Sequence, residues 1–78
     1  MLKKEDKFPA RLKKLRTQKG FTQEKMAKAF NMSTRGYQNY ETGKSTPPYK
    51  LLLDLATFFD VSLDYLVGWS NVRNIKQK

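Results

Sequence analysis

The sequence predicts an all-α fold of five short helices around one core, and three observations carry that prediction. Apolar residues recur at helical spacing along most of the chain. Three Ser or Thr residues each sit directly after one apolar residue and four positions before another, the mark of a capped and stapled helix start. No period-two run and no two-residue hairpin signal suggests a strand.

Phe8, Leu12 and Leu15 form one face of a first helix over about residues 8–19, with Pro9 tolerable in its first turn and Gly20 a natural stop. Thr22 caps a second helix over about 23–30 that carries Met26, Ala27 and Phe30, with Phe21 and Met26 as its staple pair. Ser33 caps a third, stapled by Met32 and Tyr37 and ending near Thr42, since Gly43 suits the left-handed position after a helix. Pro47 and Pro48 break the chain and open a fourth, whose Leu52, Leu55, Ala56 and Phe59 recur at helical spacing. Ser62 caps a short fifth, with Val61 and Leu66 as its pair and Gly68 as its end. The domain is therefore expected over residues 8–69, flanked by a basic tail at 1–7 and another at 70–78, neither with a convincing apolar face.

Composition limits what such a domain does. A chain of 78 residues fits one domain, and at this size about 60 to 65% of the unfolded surface is buried. It has no cysteine and no histidine, so disulfides, cysteine metal sites, an imidazole base and His-containing triads are all excluded. The acidic residues are scattered and no nucleophile, base and oxyanion set is visible, so no enzyme, metal or cofactor is expected. The opening MLKKEDKF leads into no apolar stretch of signal-peptide length, and the apolar patch Leu51 to Phe59 is broken by Asp54 and too short to span a bilayer. The chain reads as soluble and cytoplasmic.

Its net charge is +9, unevenly spread. Residues 1–50 carry thirteen basic and four acidic side chains, residues 51–70 none and three, and residues 71–78 three and none. Clustered positive charge makes a directional field that suits a polyanion. Charge alone does not choose between DNA, RNA, an anionic membrane and a merely solvated helix face.

The spacing of the second and third helices narrows the choice. Only Asn31, Met32 and the cap Ser33 join them, and two short helices with a three-residue turn make a helix-turn-helix, whose second helix can enter the DNA major groove. Ala27 is small where the two helices pass closest, and Asn31 occupies the turn position that wants a positive φ. Met26, Phe30, Tyr37 and Tyr40 supply a shared apolar floor.

The segment FTQEKMAKAFNMSTRGYQNYETGKSTP, followed by YKLLLDLATFFDVSLDYLVG, resembles the Cro/C1-type helix-turn-helix family, also called XRE, of phage repressors and small bacterial regulators. The resemblance covers about residues 8–68, with its motifs in family order and spacing. It implies a compact five-helix domain of the lambda-repressor type and a sequence-specific regulator, here a repressor that occupies an operator as a dimer. The implied partners are double-stranded DNA and a second copy of the chain, with no membrane and no small-molecule ligand, and the implied location is the nucleoid.

The resemblance also assigns roles. Thr34, Arg35, Gln38 and Asn39 match the base-facing surface, where a guanidinium such as that of Arg35 can pair with guanine or instead rest on a phosphate. Asn39 is equally suited to adenine or to the backbone. Gln23, Ser33, Thr42, Lys44 and Ser45 match phosphate-side positions, which fix register without reading sequence. Gln23 stands at a helix start, whose positive dipole end favours an anion, although an exposed glutamine is common there too. Tyr40 and Tyr49 could each set a hydroxyl on a phosphate, Tyr40 being the better core residue. Arg16 and Glu41 match a family ion pair that joins helices 1 and 3, a structural role.

Two residues depart from the family pattern. Gly36 interrupts the reading helix, and Tyr37 stands where an aliphatic is usual, so its hydroxyl needs a partner or solvent. Leu51, Phe58, Tyr65 and Trp69 look like surplus apolar surface for self-association, with Trp69 alternatively folding back as a lid on the core. An antitoxin or protein-binding adaptor built on the same domain is the second reading. Polyanion or membrane-surface binding by the lysine-rich start is the third.

Overall fold

All five helices form: α1 (Phe8–Lys19), α2 (Gln23–Ala29), α3 (Thr34–Thr42), α4 (Tyr49–Phe59) and α5 (Leu63–Val67), in a computed structural model that describes residues 7–71. Among the described residues there is no strand.

Local chemistry sets the helix ends. The hydroxyls of Thr22, Ser33 and Ser62 accept the amides of Lys25, Gly36 and Tyr65, each at 3.0 Å, and a cap of this kind is worth about 1 kcal/mol. Helix α4 has no such cap, because Pro48 precedes it in extended backbone. Asp60 closes α4 in the left-handed region at φ +57°, a role the sequence reading did not give it. Gly68 has no substitute: its φ is +91°, and a Cβ there would lie 2.5 Å from Cβ of Lys7.

Every helix contributes to one core. Phe8, Leu12 and Leu15 come from α1, Met26 and Ala27 from α2, Tyr37 from α3, Leu55, Ala56 and Phe59 from α4, and Tyr65 and Leu66 from α5, with Val61 between the last two. Full burial of such side chains contributes roughly 1.5–3 kcal/mol each relative to exposure. Phe58 is half-buried at the centre of a second apolar group, meeting Phe21, Phe30 and Phe59 edge to face at centroid distances of 5.5, 5.3 and 5.1 Å. Helix α3 packs on both α1 and α2, α1 on α5, and α4 on α5.

An arginine not singled out by the sequence reading ties the two ends of the domain together. Arg11 Nη1 donates to the backbone oxygens of Tyr65 and Ser70 at 2.6 and 2.8 Å, and Nη2 donates to Asn71 Oδ1 at 2.9 Å. The same guanidinium lies 3.9 Å from the centroid of the Tyr65 ring. One side chain on α1 thus adds a second donor to the Tyr65 carbonyl, which also accepts the Gly68 amide at 3.1 Å, and holds the Ser70 carbonyl beyond the helix end.

This arrangement corrects the expected apolar surface. Tyr65 belongs to the core, only 6% exposed, because its ring lies beneath Arg11 and inside the packing of α1 on α5. Leu51 and Phe58 are half-buried and pack on the core, leaving part of each accessible. Trp69 is 80% exposed and does not form a lid. Tyr49 and Leu53 are the other large apolar residues that stand in solvent among the described residues. Most of the two expected tails lies outside the described residues, but Lys7, Ser70 and Asn71 are engaged in the contacts just given.

Candidate nucleic-acid interface

The turn between α2 and α3 has the geometry its residues favour. Asn31 adopts φ +58°, a conformation that asparagine tolerates better than most residues. The Met32 amide donates back to the Ala27 carbonyl at 2.9 Å. With Ala27 buried, α2 and α3 come close, and Ser33 starts α3 at once.

At about 100° per residue, Arg35, Gln38, Asn39 and Thr42 fall within one sector of α3, Thr34 and Glu41 lie at its flank, and Tyr37 lies on the far side. The structure follows this division. Tyr37 is in the core, whereas Arg35 is exposed and makes no hydrogen bond or ion pair with the described residues. Thr34, Gln38 and Asn39 are half-buried beside it, and Tyr40 is half-buried against the core, as expected of it. Thr42 donates its hydroxyl to the Asn39 carbonyl at 3.3 Å, and the Ser45 amide reaches the same carbonyl at 3.2 Å. Thr42, Lys44 and Ser45 are therefore an exposed shoulder at the end of α3. A cleft of about 430 Å³ runs between α2 and the start of α3, lined among others by Lys25, Lys28, Ser33 and Thr34.

Gly36 leaves room for the cap of its own helix. A Cβ at this position would lie 3.1 Å from the Ser33 hydroxyl oxygen that accepts the Gly36 amide.

Behind the outer face lies a polar network built on the expected ion pair. Arg16 Nε meets Glu41 Oε2 at 2.6 Å and Nη2 meets Oε1 at 3.2 Å, a two-pronged contact, while Nη1 donates to the Phe21 carbonyl at 2.8 Å. Gln23 Nε2 donates to Glu41 Oε1 at 3.1 Å, and the Tyr37 hydroxyl donates to Oε2. The polar partner that Tyr37 needed is thus one helical turn away. Gln38 Nε2 in turn donates to Gln23 Oε1 at 3.0 Å. No buried side-chain nitrogen or oxygen among the described residues lacks a partner.

The Glu41 side chain is only 3% exposed, so the network decides its charge. Burial, the largest single influence, pushes its carboxyl upward, but hydrogen bonds from Arg16, Tyr37 and Gln23 together outweigh that and hold it below its ordinary value. The hydrogen bond to Glu41 raises Arg16 further, against the opposing effect of burial. Burial, then the hydrogen bond to Glu41, drives the Tyr37 phenol far above its ordinary range. Arg16 and Glu41 are charged and Tyr37 neutral at any pH near 7.

Gln23 is the residue whose surroundings differ most from expectation. It stands at the first position of α2, but its amide is engaged by Glu41 and Gln38 within the protein. Sequence reasoning placed Gln23 and Gln38 on one surface without pairing them. Their pairing depends on how α2 crosses α3, which no local pattern specifies.

A short turn, a braced second helix and an uncommitted arginine on its outer side define a helix-turn-helix protein. The chain belongs to the helix-turn-helix family of the XRE, Cro/C1 type, whose model matches residues 12–66. It is 45% identical over 65 residues to the HTH-type transcriptional regulator YqaE of Bacillus subtilis, covering 82% of this chain and 56% of that protein. It is 43% identical over 60 residues to the SPbeta prophage-derived HTH-type transcriptional regulator YonR of the same organism, covering 77% and 56%. The chain thus spans little more than half the length of these two relatives. A crystal structure of a transcriptional regulator from Listeria innocua superposes with a TM-score of 0.79 at 29% identity, covering 96% of this chain and 68% of that one. The family and these relatives are DNA-binding regulators and not enzymes. No described helix is long and apolar enough to cross a membrane.

Proposed function

We propose that the chain is the sequence-specific DNA-binding domain of a transcriptional repressor, which occupies an operator as a dimer with α3 in the major groove. The outer side of α3 carries the proposal: Arg35 is exposed and uncommitted, while the helix is locked from its flank by Glu41 and from its far side by Tyr37. A base-reading side chain gains precision when its helix cannot rock, and α3 is braced by α1 through the ion pair and by α2 through packing.

In this reading Arg35 pairs with guanine O6 and N7, Gln38 and Asn39 meet adenine or a neighbouring edge, and Thr34 lies against the bases at the helix start. Ser33, Thr42, Lys44 and Ser45, with Gln23 at the start of α2, set the phosphate register. The lysines of α1 and α2 add attraction that is independent of sequence and weakens with salt. The accessible parts of Leu51 and Phe58, with Trp69, give the net acidic half an apolar surface for the second copy.

Selection from random DNA duplexes tests this directly. The expected product is a motif with two-fold symmetry, its half-sites about 34–36 Å or a multiple of that apart. Failure to enrich any motif would remove the proposal.

A further inference from the structure

We infer that Glu41, at the flank of the outer face of α3, fixes which base edge Gln38 accepts by orienting two glutamine amides in series. The inference rests on the proposed base-reading role of Gln38. It concerns what sets the polarity of that reading.

An ionised carboxylate only accepts hydrogen bonds. Each Glu41 oxygen receives two donors: Oε1 takes Arg16 Nη2 and Gln23 Nε2, and Oε2 takes Arg16 Nε and the Tyr37 hydroxyl. The Gln23 amide can therefore turn only its nitrogen toward Glu41, which leaves Oε1 as the atom facing Gln38. Facing an acceptor, Gln38 must in turn present its own nitrogen, and Nε2 lies 3.0 Å away. Gln38 keeps its Oε1 and one Nε2 hydrogen, neither bonded to the described residues.

A side-chain amide reads adenine by accepting from N6 and donating to N7. Rotated by 180° about its last bond, the same amide sets acceptor against acceptor and donor against donor at that base. A free glutamine samples both orientations at similar cost. Here the reversed state would either bring the two amide groups into conflict or turn Gln23 Oε1 toward the carboxylate. Glu41 is thus a positioning residue, acting through Gln23, and the charge that braces α1 against α3 also gives Gln38 a single hand.

The test is a selected binding motif for the full chain and for Gln38→Ala, Gln23→Met and Glu41→Gln. Gln38→Ala identifies the base position that depends on Gln38. Glu41→Gln replaces an acceptor-only group with one that can also donate, and it is assayed below its melting midpoint. Gln23→Met cuts the series while leaving Arg16, Tyr37 and Glu41 together, so it carries the test if the glutamine variant does not fold.

At the position Gln38→Ala identifies, preference for adenine is expected to fall by about five- to tenfold in the other variants, with the Arg35-dependent position unchanged. A uniform loss of affinity with preference intact in Gln23→Met overturns the inference and leaves base reading by Gln38 standing. No change of motif in Gln38→Ala overturns both.

Discussion

The Tyr37 hydroxyl donates to Glu41 Oε2, the oxygen that also receives Arg16 Nε, so two residues one turn apart on α3 share a charge with α1. Removing that hydroxyl leaves a buried carboxylate with three donors in place of four. A hydrogen bond to a charged group is worth about 1.5–3 kcal/mol. Tyr37→Phe should lower unfolding stability by that amount, seen as a reduced urea midpoint, with the selected DNA motif unchanged because Gln23 still faces Glu41.

Glu41 also gives stability a pH dependence of defined sign. Its folded carboxyl lies below its ordinary value of 4.5. The folded state therefore binds fewer protons than the unfolded state on this group, and the stabilisation is complete above 4.5 and lost as pH falls through the lower folded value. Melting temperatures between pH 7 and pH 3 should fall more steeply for the parent than for Glu41→Gln. Parallel curves would show that other carboxylates dominate acid unfolding.

Arg35 and Lys44 separate reading from anchoring. Arg35→Ala should cost about 1–3 kcal/mol on the selected site and relax one base position, whereas Lys44→Ala should weaken all duplexes alike and reduce the salt slope by roughly one. Binding isotherms at three salt concentrations, on the selected duplex and a scrambled one, distinguish the two. An unchanged motif in Arg35→Ala would remove it from the reading surface.

At the far end of the domain, Arg11→Met keeps the apolar stem over Tyr65 but withdraws donors from the Tyr65 and Ser70 carbonyls. The expected cost is about 1–3 kcal/mol, with faster amide exchange in α5 than in α3. Gly68→Ala should be worse than the left-handed penalty of about 1–2 kcal/mol alone, since its Cβ would meet Lys7 at 2.5 Å. A circular-dichroism melt that matched the parent would contradict the packing of residue 7 on residue 68.

Much of this architecture was legible before any coordinate, because helix starts are written in adjacent residues. Thr22, Ser33 and Ser62 cap as their neighbours imply, and Asn31 takes the positive φ its place in a three-residue turn requires. Residues whose role depends on distant chain were not legible. In the sequence Arg11 looks like any lysine or arginine of the basic first helix, and its partners lie 54 to 60 residues away. Tyr65 carried the apolar signal of an interface residue, but helical spacing does not say which flank α1 covers. For the site, the Arg16–Glu41 pair and the outer face of α3 followed from family pattern. The engagement of Gln23 by Glu41 and Gln38 follows only from the crossing of α2 and α3.

The position of Trp69 has a practical corollary. It is the chain's one tryptophan and stands 80% in solvent. Its emission colour in the free domain should already resemble that of an unfolded chain, making fluorescence a poor gauge of core integrity. The same indole would shift to the blue when another surface covers it, a built-in optical reporter of association at the end of α5.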